Sequence, residues 1–273
     1  MKFDDSSDSR VTVPRFRRRK AGDPPWVVLT AYDAATAAVA EAGGVDCILV
    51  GDALGMVELG YENTLPGTVD DMVPHAAAVG RVRRRALLVV DMPWMSYHVG
   101  IEDAVRNAAR LVRETGADAV KLEGGAERLP VIQAILHAEI PVMGHLGLTP
   151  QSVLKMGGYK VQGRKDSRAE RLLGDARALE EAGVFSMVLE GMPVALADRI
   201  TAAVHVPTIG IGAGGGCDGQ VLVIHDLLGM LPGSVPKFVR QYADAHTDLA
   251  AAVRRWAGDV RDRSFPADEG SYG

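Results

Sequence analysis

Three consecutive segments decide the fold class of this 273-residue chain: ALLVVD (86–91), IEDAVRNAARLVRETG (101–116) and ADAVKLEG (117–124). The first and third are largely continuous apolar runs, which is typical of strands buried on both faces of a parallel sheet. The middle segment repeats its apolar residues at helical spacing and ends on Gly116, a residue type that commonly terminates helices. The order strand, helix, strand predicts a parallel βαβ unit.

The same alternation continues in both directions from this unit. Further strand-like runs are WVVLTAY (26–32), CILVGD (47–52), PVMGHL (141–146), FSMVLEG (185–191), PTIGIGAG (207–214) and VLVIHD (221–226). Helices are predicted at 33–43, 68–82, 126–138, 167–183, 194–204 and 237–260, with a long polar loop at 147–166. Eight such units predict a single (β/α)8 TIM barrel, an α/β fold, with a doubly wound sheet as the competing arrangement.

The predicted domain limits follow from this alternation. An N-terminal polar and basic segment covers 1–25, the catalytic barrel covers 26–260 and a C-terminal tail covers 261–273. The basic run PRFRRRK (14–20) is interpreted as a solvated segment that packs loosely on the barrel, since it lacks the aromatic interleaving of a nucleic-acid site.

Composition argues against several classes of function. Lysine and arginine number 30 against 35 aspartates and glutamates, and the net charge of −5 argues against a nucleic-acid-binding surface. Cys47 and Cys217 match neither a metal-binding spacing nor a disulfide framework, which indicates free thiols in a reducing compartment. The sequence shows no membrane-spanning run and no signal peptide. We therefore expect a cytoplasmic protein with neither a membrane nor a nucleic acid as partner.

Polar and charged side chains stand at the ends of successive predicted strands. They are Asp52, Asp91, Lys121, Glu123, His145 and Glu190. The C-terminal ends of parallel strands open on the same face of a barrel, so these residues are expected to converge at one mouth. Any one of them alone could be a helix cap, a turn residue or a core histidine. Six of them together indicate an active site.

The residue types at this mouth indicate a chemistry. Carboxylates with a lysine, and without a cysteine or histidine cluster, suit Mg²⁺ rather than zinc. An ion held by few protein carboxylates keeps positions for a chelating substrate, and a 2-oxo acid fills two of them. Chelation polarises the carbonyl while a further carboxylate takes a proton from the neighbouring carbon. The pattern predicts metal-assisted enolisation and carbon–carbon bond chemistry.

The chain resembles the ketopantoate hydroxymethyltransferase family. The resemblance rests on LTAYDAATA, VGDALGM, GYENTLPGTVDDM, DMPWMSY, VKLEGG, PVMGHLGLTPQSV, GGYKVQGR, VLEGMP, TIGIGAG and CDGQVLVIHD, in the family's order. These stretches cover about residues 26 to 240, and HLGLTPQS followed by GGYKVQGR is the most specific pair. The resemblance implies that 5,10-methylenetetrahydrofolate donates a one-carbon group to 3-methyl-2-oxobutanoate in a Mg²⁺-dependent reaction. It also implies a large homo-oligomer, commonly a decamer.

The resemblance assigns a role to individual residues. Asp52 and Asp91 match the family's magnesium carboxylates, which also contact the bound oxo acid, and Glu123 matches the third acid of the metal site. Lys121 matches the substrate-binding lysine. Glu190 matches the acid that accepts the proton from C3 of the substrate.

Two further positions belong to the expected substrate pocket. His145 matches a histidine near the substrate and product oxygens. Ala53 stands where the family usually has serine, whose hydroxyl and backbone N–H both meet the substrate carboxylate. Alanine loses the hydroxyl, a hydrogen bond to a charged group worth roughly 1.5–3 kcal/mol. Gly191 and Gly270 also depart from the usual pattern, which leaves open a paralogue that hydroxymethylates a different 2-oxo acid.

Two alternatives come from other classes of protein. GIGAGG (210–215), with Asp226 downstream, formally matches a dinucleotide-binding fingerprint, but it follows a late strand and opens no clear helix. A catalytically silent barrel is the second alternative. Loss of Asp52, Asp91 or Glu190 would favour it, and all three residues are present.

Overall fold

The computed structural model describes residues 9–20, 22–267 and 270. Its centre is a closed barrel of eight strands in chain order. The strands are β1 (Trp26–Thr30), β2 (Cys47–Val50), β3 (Leu87–Asp91), β4 (Ala119–Lys121), β5 (Val142–Gly147), β6 (Ser186–Glu190), β7 (Thr208–Ile211) and β8 (Gly219–Leu222). The predicted single (β/α)8 TIM barrel is confirmed, and the doubly wound sheet is excluded.

Helices follow or flank the strands. They are α1 (Val13–Arg18), α2 (Ala34–Ala42), α3 (Leu54–Val57), α4 (Val69–Val82), α5 (Ile101–Thr115), α6 (Leu129–His137), α7 (Val153–Met156), α8 (Asp166–Ala182), α9 (Val194–Ala203), α10 (Ile224–Leu228) and α11 (Ala245–Arg261). Capping boxes start α2 at Asp33 and α4 at Thr68, satisfying backbone N–H groups in the first helical turn. These caps fix where two βα connections end.

Parallel pairing closes the barrel. β8 pairs with β1, with Gly219 opposite Trp26 and Leu222 opposite Leu29. Every residue of β2 and β3 is buried, as expected for strands with helices outside and side chains packed within. The glycine-rich stretch 210–215 begins inside β7 and enters the connection to β8, so it does not form the strand-to-helix turn of a dinucleotide site.

The N-terminal segment packs differently from the prediction. Residues 13–18 form α1, and its Phe16 is fully buried rather than loosely packed. The Phe16 ring stacks on Trp26 with centroids 4.3 Å apart, and it meets Phe185 edge-on at 5.8 Å. Phe16 therefore belongs to the core at the N-terminal end of the barrel, while the arginines around it stay at the surface.

The C-terminal part also differs from the prediction. Contacts divide the described part of the chain into two compact units between Val223 and Ile224, and the domain limits of 26–260 stay a prediction. The run predicted as a strand at 221–226 contributes only its first two residues to β8, because pairing with β1 sets the strand at Gly219–Leu222, and α10 follows.

Two other segments have boundaries that the prediction missed. The last helix starts at Ala245 rather than at 237, because the Asp244 carboxylate caps the backbone N–H of Thr247. The segment 147–166, predicted as a loop, contains a 3₁₀ turn at Pro150–Ser152 and then α7.

Among the described residues, no helix combines the length and apolarity needed to cross a membrane.

Candidate active site

The predicted strand-end residues meet at the C-terminal end of the barrel. Asp91, Lys121 and Glu190 are the last residues of β3, β4 and β6, and His145 lies within β5. Asp52 and Glu123 come two residues after β2 and β4. Five of the six residues are at least nine-tenths buried: Asp52, Asp91, Lys121, Glu123 and His145. Contacts among their side chains show that the topology has brought them into one site.

A buried ion pair forms the first half of the site. Lys121 Nζ lies 3.0 Å from Asp91 Oδ1, and the other Asp91 oxygen accepts the backbone N–H of Asp52 at 3.0 Å. Burial raises the pKa of Asp91 to about 6, opposed by Lys121 and assisted by the Asp52 charge. Burial also acts to lower the pKa of Lys121, but the Asp91, Glu123 and Asp52 carboxylates overcome it and raise that pKa. At neutral pH the pair is ionised.

His145 lies between the two halves of the site. Its Nδ1 is 3.2 Å from Lys121 Nζ and 3.5 Å from Glu123 Oε1. Burial, and then the charge of Lys121, lower the pKa of His145 well below its usual value, so the imidazole is neutral. Because the Lys121 ammonium is a donor, Nδ1 is the acceptor and Nε2 carries the proton. That Nε2 lies 3.1 Å from Glu190 Oε2, although the two are not aligned as a hydrogen bond.

Two glutamates form the second half of the site. Burial raises the pKa of Glu190 to about 7, against the opposing effect of Lys121. Burial and the neighbouring Asp52 charge raise the pKa of Glu123 well above its usual value. A carboxyl group with a pKa near 7 can both take and return a proton at neutral pH, which suits Glu190 to general acid–base chemistry.

Two site residues escaped the sequence analysis, and Gln151 is the more important. Its side-chain N–H donates to Asp52 Oδ2 at 2.9 Å and to the Met92 carbonyl at 3.0 Å, and its backbone N–H donates to Glu123 Oε2 at 3.0 Å. The second residue is Tyr97, whose hydroxyl donates to Gln151 Oε1 at 2.6 Å. Gln151 therefore holds two of the site carboxylates at once, with its amide orientation fixed by Tyr97.

The signal for Gln151 was present in the sequence. It lies in HLGLTPQS, which was used only to establish the family resemblance. The structure puts this glutamine, 6% exposed, in the 3₁₀ turn that follows β5. A buried glutamine in the loop after a barrel strand is a candidate for fixing active-site groups.

Ala53 directly precedes the short helix α3 as its N-cap residue and is half-buried beside Asp52. Its backbone N–H has no hydrogen-bond partner among the described residues. This N–H can donate a hydrogen bond to an anionic oxygen of a ligand. The contact between Ala53 and a substrate carboxylate stays a prediction.

The fold and the site together define a class of protein. A closed (β/α)8 barrel whose buried lysine, histidine and carboxylates meet at the C-terminal strand ends is a TIM-barrel enzyme.

Comparison with known proteins identifies the family. The sequence profile described as ketopantoate hydroxymethyltransferase matches residues 10–268. The chain therefore belongs to the ketopantoate hydroxymethyltransferase family, and it is an enzyme, a hydroxymethyltransferase. Neither the doubly wound oxidoreductase nor the catalytically silent barrel describes it.

The curated relatives extend over nearly the whole chain. The chain is 53% identical to the 3-methyl-2-oxobutanoate hydroxymethyltransferase of Trichlorobacter lovleyi over 263 residues, which cover 96% of this chain and 98% of that protein. It is also 53% identical to the enzyme of the same name from Moorella thermoacetica over 264 residues, 97% of this chain and 98% of that protein.

A more distant likeness extends to solved structures. The phosphoenolpyruvate phosphomutase of Streptomyces platensis subsp. rosaceus superposes with a TM-score of 0.63 at 12% identity, covering 96% of this chain and 92% of that one. At this identity the likeness shows the shared fold alone.

Proposed function

We propose that this enzyme transfers a hydroxymethyl group to 3-methyl-2-oxobutanoate and gives 2-dehydropantoate, a step of pantothenate biosynthesis. In the proposed reaction 5,10-methylenetetrahydrofolate and water supply the group, and tetrahydrofolate is released. The observation that carries the proposal is the buried assembly of Asp52, Asp91, Lys121, Glu123 and Glu190 in a chain about half identical to relatives of that name. The cytoplasmic location stays a prediction from the sequence.

We also propose that Asp52, Asp91 and Glu123 hold Mg²⁺ in this enzyme. The donor set consists of carboxylate oxygens, which this hard cation prefers. Glu123 Oε1 is buried and accepts no hydrogen bond from any described residue, so it is available to a ligand. Within the described ranges, no three His, Cys, Asp or Glu side chains already form a metal-binding group by themselves. A site of this kind needs further oxygens, and a chelating 2-oxo acid offers two.

The proposed mechanism assigns the acid–base step to Glu190. When bound, Mg²⁺ supplies Lewis-acid polarisation of the substrate's 2-oxo group. Glu190 takes the proton from C3, which its pKa of about 7 allows at neutral pH. The carbanion left at C3 then attacks the donor's one-carbon unit. Both bonds from that carbon to the folate nitrogens break, water supplies the hydroxyl oxygen, and tetrahydrofolate leaves with one proton from water and one from Glu190. Glu190, once protonated, can return its proton to the products.

Lys121, Ala53 and His145 are proposed to bind and orient the substrate. The Lys121 ammonium presents positive charge in a buried site, where it stabilises an anionic substrate far more than it would in water. The Ala53 N–H offers a donor to the substrate carboxylate. His145, held neutral between Lys121 and Glu190, can donate from Nε2 without adding charge.

A product assay tests the proposed function. The purified enzyme is incubated with 3-methyl-2-oxobutanoate, methylenetetrahydrofolate and Mg²⁺, with other branched 2-oxo acids as competitors, and 2-dehydropantoate is measured. Asp91→Asn should abolish product while the circular dichroism spectrum stays that of the wild type. A strong preference for another 2-oxo acid would favour the paralogue that Ala53 leaves open.

We further propose that the enzyme is a homo-oligomer, a decamer by family resemblance. Helix α11 supports this, since it has no buried residue and carries exposed apolar side chains at helical spacing: Leu249, Val253, Trp256 and Val260. An exposed apolar stripe of this kind is typical of an association surface. Light scattering should give a mass several times the 29.0 kDa of one chain, and Trp256→Ser should lower that mass.

A further inference from the structure

A cleft adjoins the active site. It has a volume of about 510 Å³, and its inner wall includes Gly124 and Gly147. Gly124 directly follows Glu123, and Gly147 lies two residues after His145. The outer wall comes from α7, α8 and the segment between them. The volume is within the roughly 300–1,000 Å³ that is typical of small-molecule sites.

The charged side chains that line the cleft are mainly cationic. Four are basic (Lys155, Lys160, Arg168 and Arg171) and two are acidic (Glu127 and Asp175). Both acids lie near the Arg171 guanidinium, at 3.7 Å and 3.8 Å. Both also accept backbone N–H groups of the turn after β4, at 3.3 Å for Glu127 and 3.1 Å for Asp175. Both negative charges of the cleft therefore lie near Arg171, one of its four cations.

Among the described residues, the other three cations have no carboxylate partner. Lys155 and Lys160 form no ion pair with any residue in the described part of the chain. Arg168 donates to the neutral Gln162 Oε1 at 2.9 Å. Three uncompensated positive charges around one cleft raise the local concentration of anions and favour a ligand with several carboxylates.

We propose that this cleft binds the carboxylate-bearing tail of the one-carbon donor, with Lys155, Lys160 and Arg168 as its cationic contacts. The inference rests on the proposed function, in which that donor is a tetrahydrofolate. A folate carries its one-carbon unit at the pterin end and its carboxylates at the opposite, glutamyl end. When the one-carbon unit lies at the active site, the glutamyl end must extend away from it, and the cleft is an adjoining surface with unpaired positive charge.

The proposal predicts a preference for longer tails. Each added glutamyl residue adds one carboxylate, so the tetrahydrofolate with three glutamyl residues should bind more tightly than the form with one. The preference should weaken as salt rises, because the cleft cations are exposed and screened.

A pair of matched double variants tests the cleft. In Lys155→Gln/Lys160→Gln two cleft charges are removed, whereas Arg106→Gln/Arg113→Gln removes the same charge from the exposed face of α5, where the side chains are 71% and 81% exposed. The dissociation constants of the one- and three-glutamyl tetrahydrofolates are measured by titration calorimetry. The cleft variant should lose roughly 3- to 30-fold in affinity for the three-glutamyl form and less for the one-glutamyl form. The α5 variant and Lys155→Arg/Lys160→Arg should keep the wild-type preference.

The outcomes separate the two proposals. If the wild type makes 2-dehydropantoate from methylenetetrahydrofolate but shows no preference for the longer tail, the cleft assignment is wrong and the proposed function stands. The same conclusion holds if the Lys155→Gln/Lys160→Gln protein keeps the full preference. A wild type that binds neither tetrahydrofolate refutes the donor in the proposed function, and the cleft assignment with it.

Discussion

Replacing Gln151 by glutamate changes one NH₂ group into an oxygen with little change in shape. In the wild type that NH₂ donates to Asp52 Oδ2 at 2.9 Å and to the Met92 carbonyl at 3.0 Å. In Gln151→Glu an ionised carboxylate would face two acceptors, one of them charged. Protonation of the new carboxyl group restores a single donor, so at least one acceptor loses its partner.

The contacts set the magnitude of the effect. A buried acceptor left without a donor costs about 1–3 kcal/mol, and more if it is charged. If the new carboxyl group is protonated, one acceptor lacks a donor and the free energy of unfolding falls by about 1–3 kcal/mol. If it is ionised, both acceptors lack a donor and the free energy of unfolding falls by about 2–6 kcal/mol. Loss of a side chain that orients metal ligands, the role that the proposed Mg²⁺ site gives to Gln151, typically lowers metal affinity or activity by about 10- to 100-fold. We expect kcat/KM for the 2-oxo acid to fall by about that factor, with weaker Mg²⁺ binding and a lower melting temperature.

The assay combines steady-state kinetics, titration calorimetry with Mg²⁺ and thermal unfolding. Gln162→Glu is the matched control for stability, because Gln162 is also buried and lies in the same connection, but its Oε1 accepts from Arg168. A carboxylate there strengthens the contact with Arg168 but removes the side-chain N–H that donates to the Lys160 carbonyl at 2.8 Å, so the melting temperature should fall less than in Gln151→Glu. Tyr97→Phe removes the hydroxyl that fixes the Gln151 amide and should produce a smaller effect in the same direction.

Unchanged kcat/KM and Mg²⁺ affinity in Gln151→Glu would refute the reasoning. So would an equal loss of stability in Gln151→Glu and Gln162→Glu, since the effect would then come from burying any carboxylate in this connection.

Three further variants test other parts of the structure. Because burial raises the folded-state pKa of Glu190 from 4.5 to about 7, folded stability falls as pH rises through that interval. Glu190→Gln should therefore stabilise the protein by up to about 3 kcal/mol above pH 7 and hardly at pH 4, in thermal scans, while abolishing exchange of the substrate's C3 proton with deuterated water. Ala53→Ser should lower the KM for 3-methyl-2-oxobutanoate with little change in kcat, since the added hydroxyl binds ground and transition states alike. If KM and kcat stay unchanged for every 2-oxo acid, residue 53 does not contact the substrate. Phe16→Ala should destabilise the barrel by about 3–5 kcal/mol in urea unfolding, whereas the exposed Arg17→Ala should change it little, and equal effects would contradict the packing role of α1.

The fold could be predicted because the two periodicities alternate along the chain. Strands such as β3 are continuous apolar runs, and α5 keeps its apolar residues on one face between two of them. The site residues at strand ends could be located for the same reason, because the topology of a parallel barrel dictates where Asp91 and Lys121 must meet. Their contact at 3.0 Å follows from neighbouring strands in register.

Other features depend on tertiary contacts that no local pattern reports. Phe16 is one aromatic residue in a run of arginines, and only the open end of the barrel makes it a core residue. The run at 221–226 suits a strand or a buried helix equally well, and pairing with β1 decides which residues extend the sheet. Gln151 has no periodicity at all, so its role appears only when Asp52 and Glu123 are seen within reach of it.

The charge balance of the site explains why its carboxyl groups are perturbed. Among the described residues of the site, Lys121 is the only cation that faces the carboxyl groups of Asp52, Asp91, Glu123 and Glu190, because His145 is held neutral. Burying more carboxylates than cations is unfavourable. Burial therefore raises the pKa values of Asp91, Glu123 and Glu190. An arrangement selected for stability alone would replace one of these acids by an amide. The excess of acids is understandable if a divalent cation completes the site, since it compensates the carboxylates that hold it and leaves Glu190 to exchange a proton.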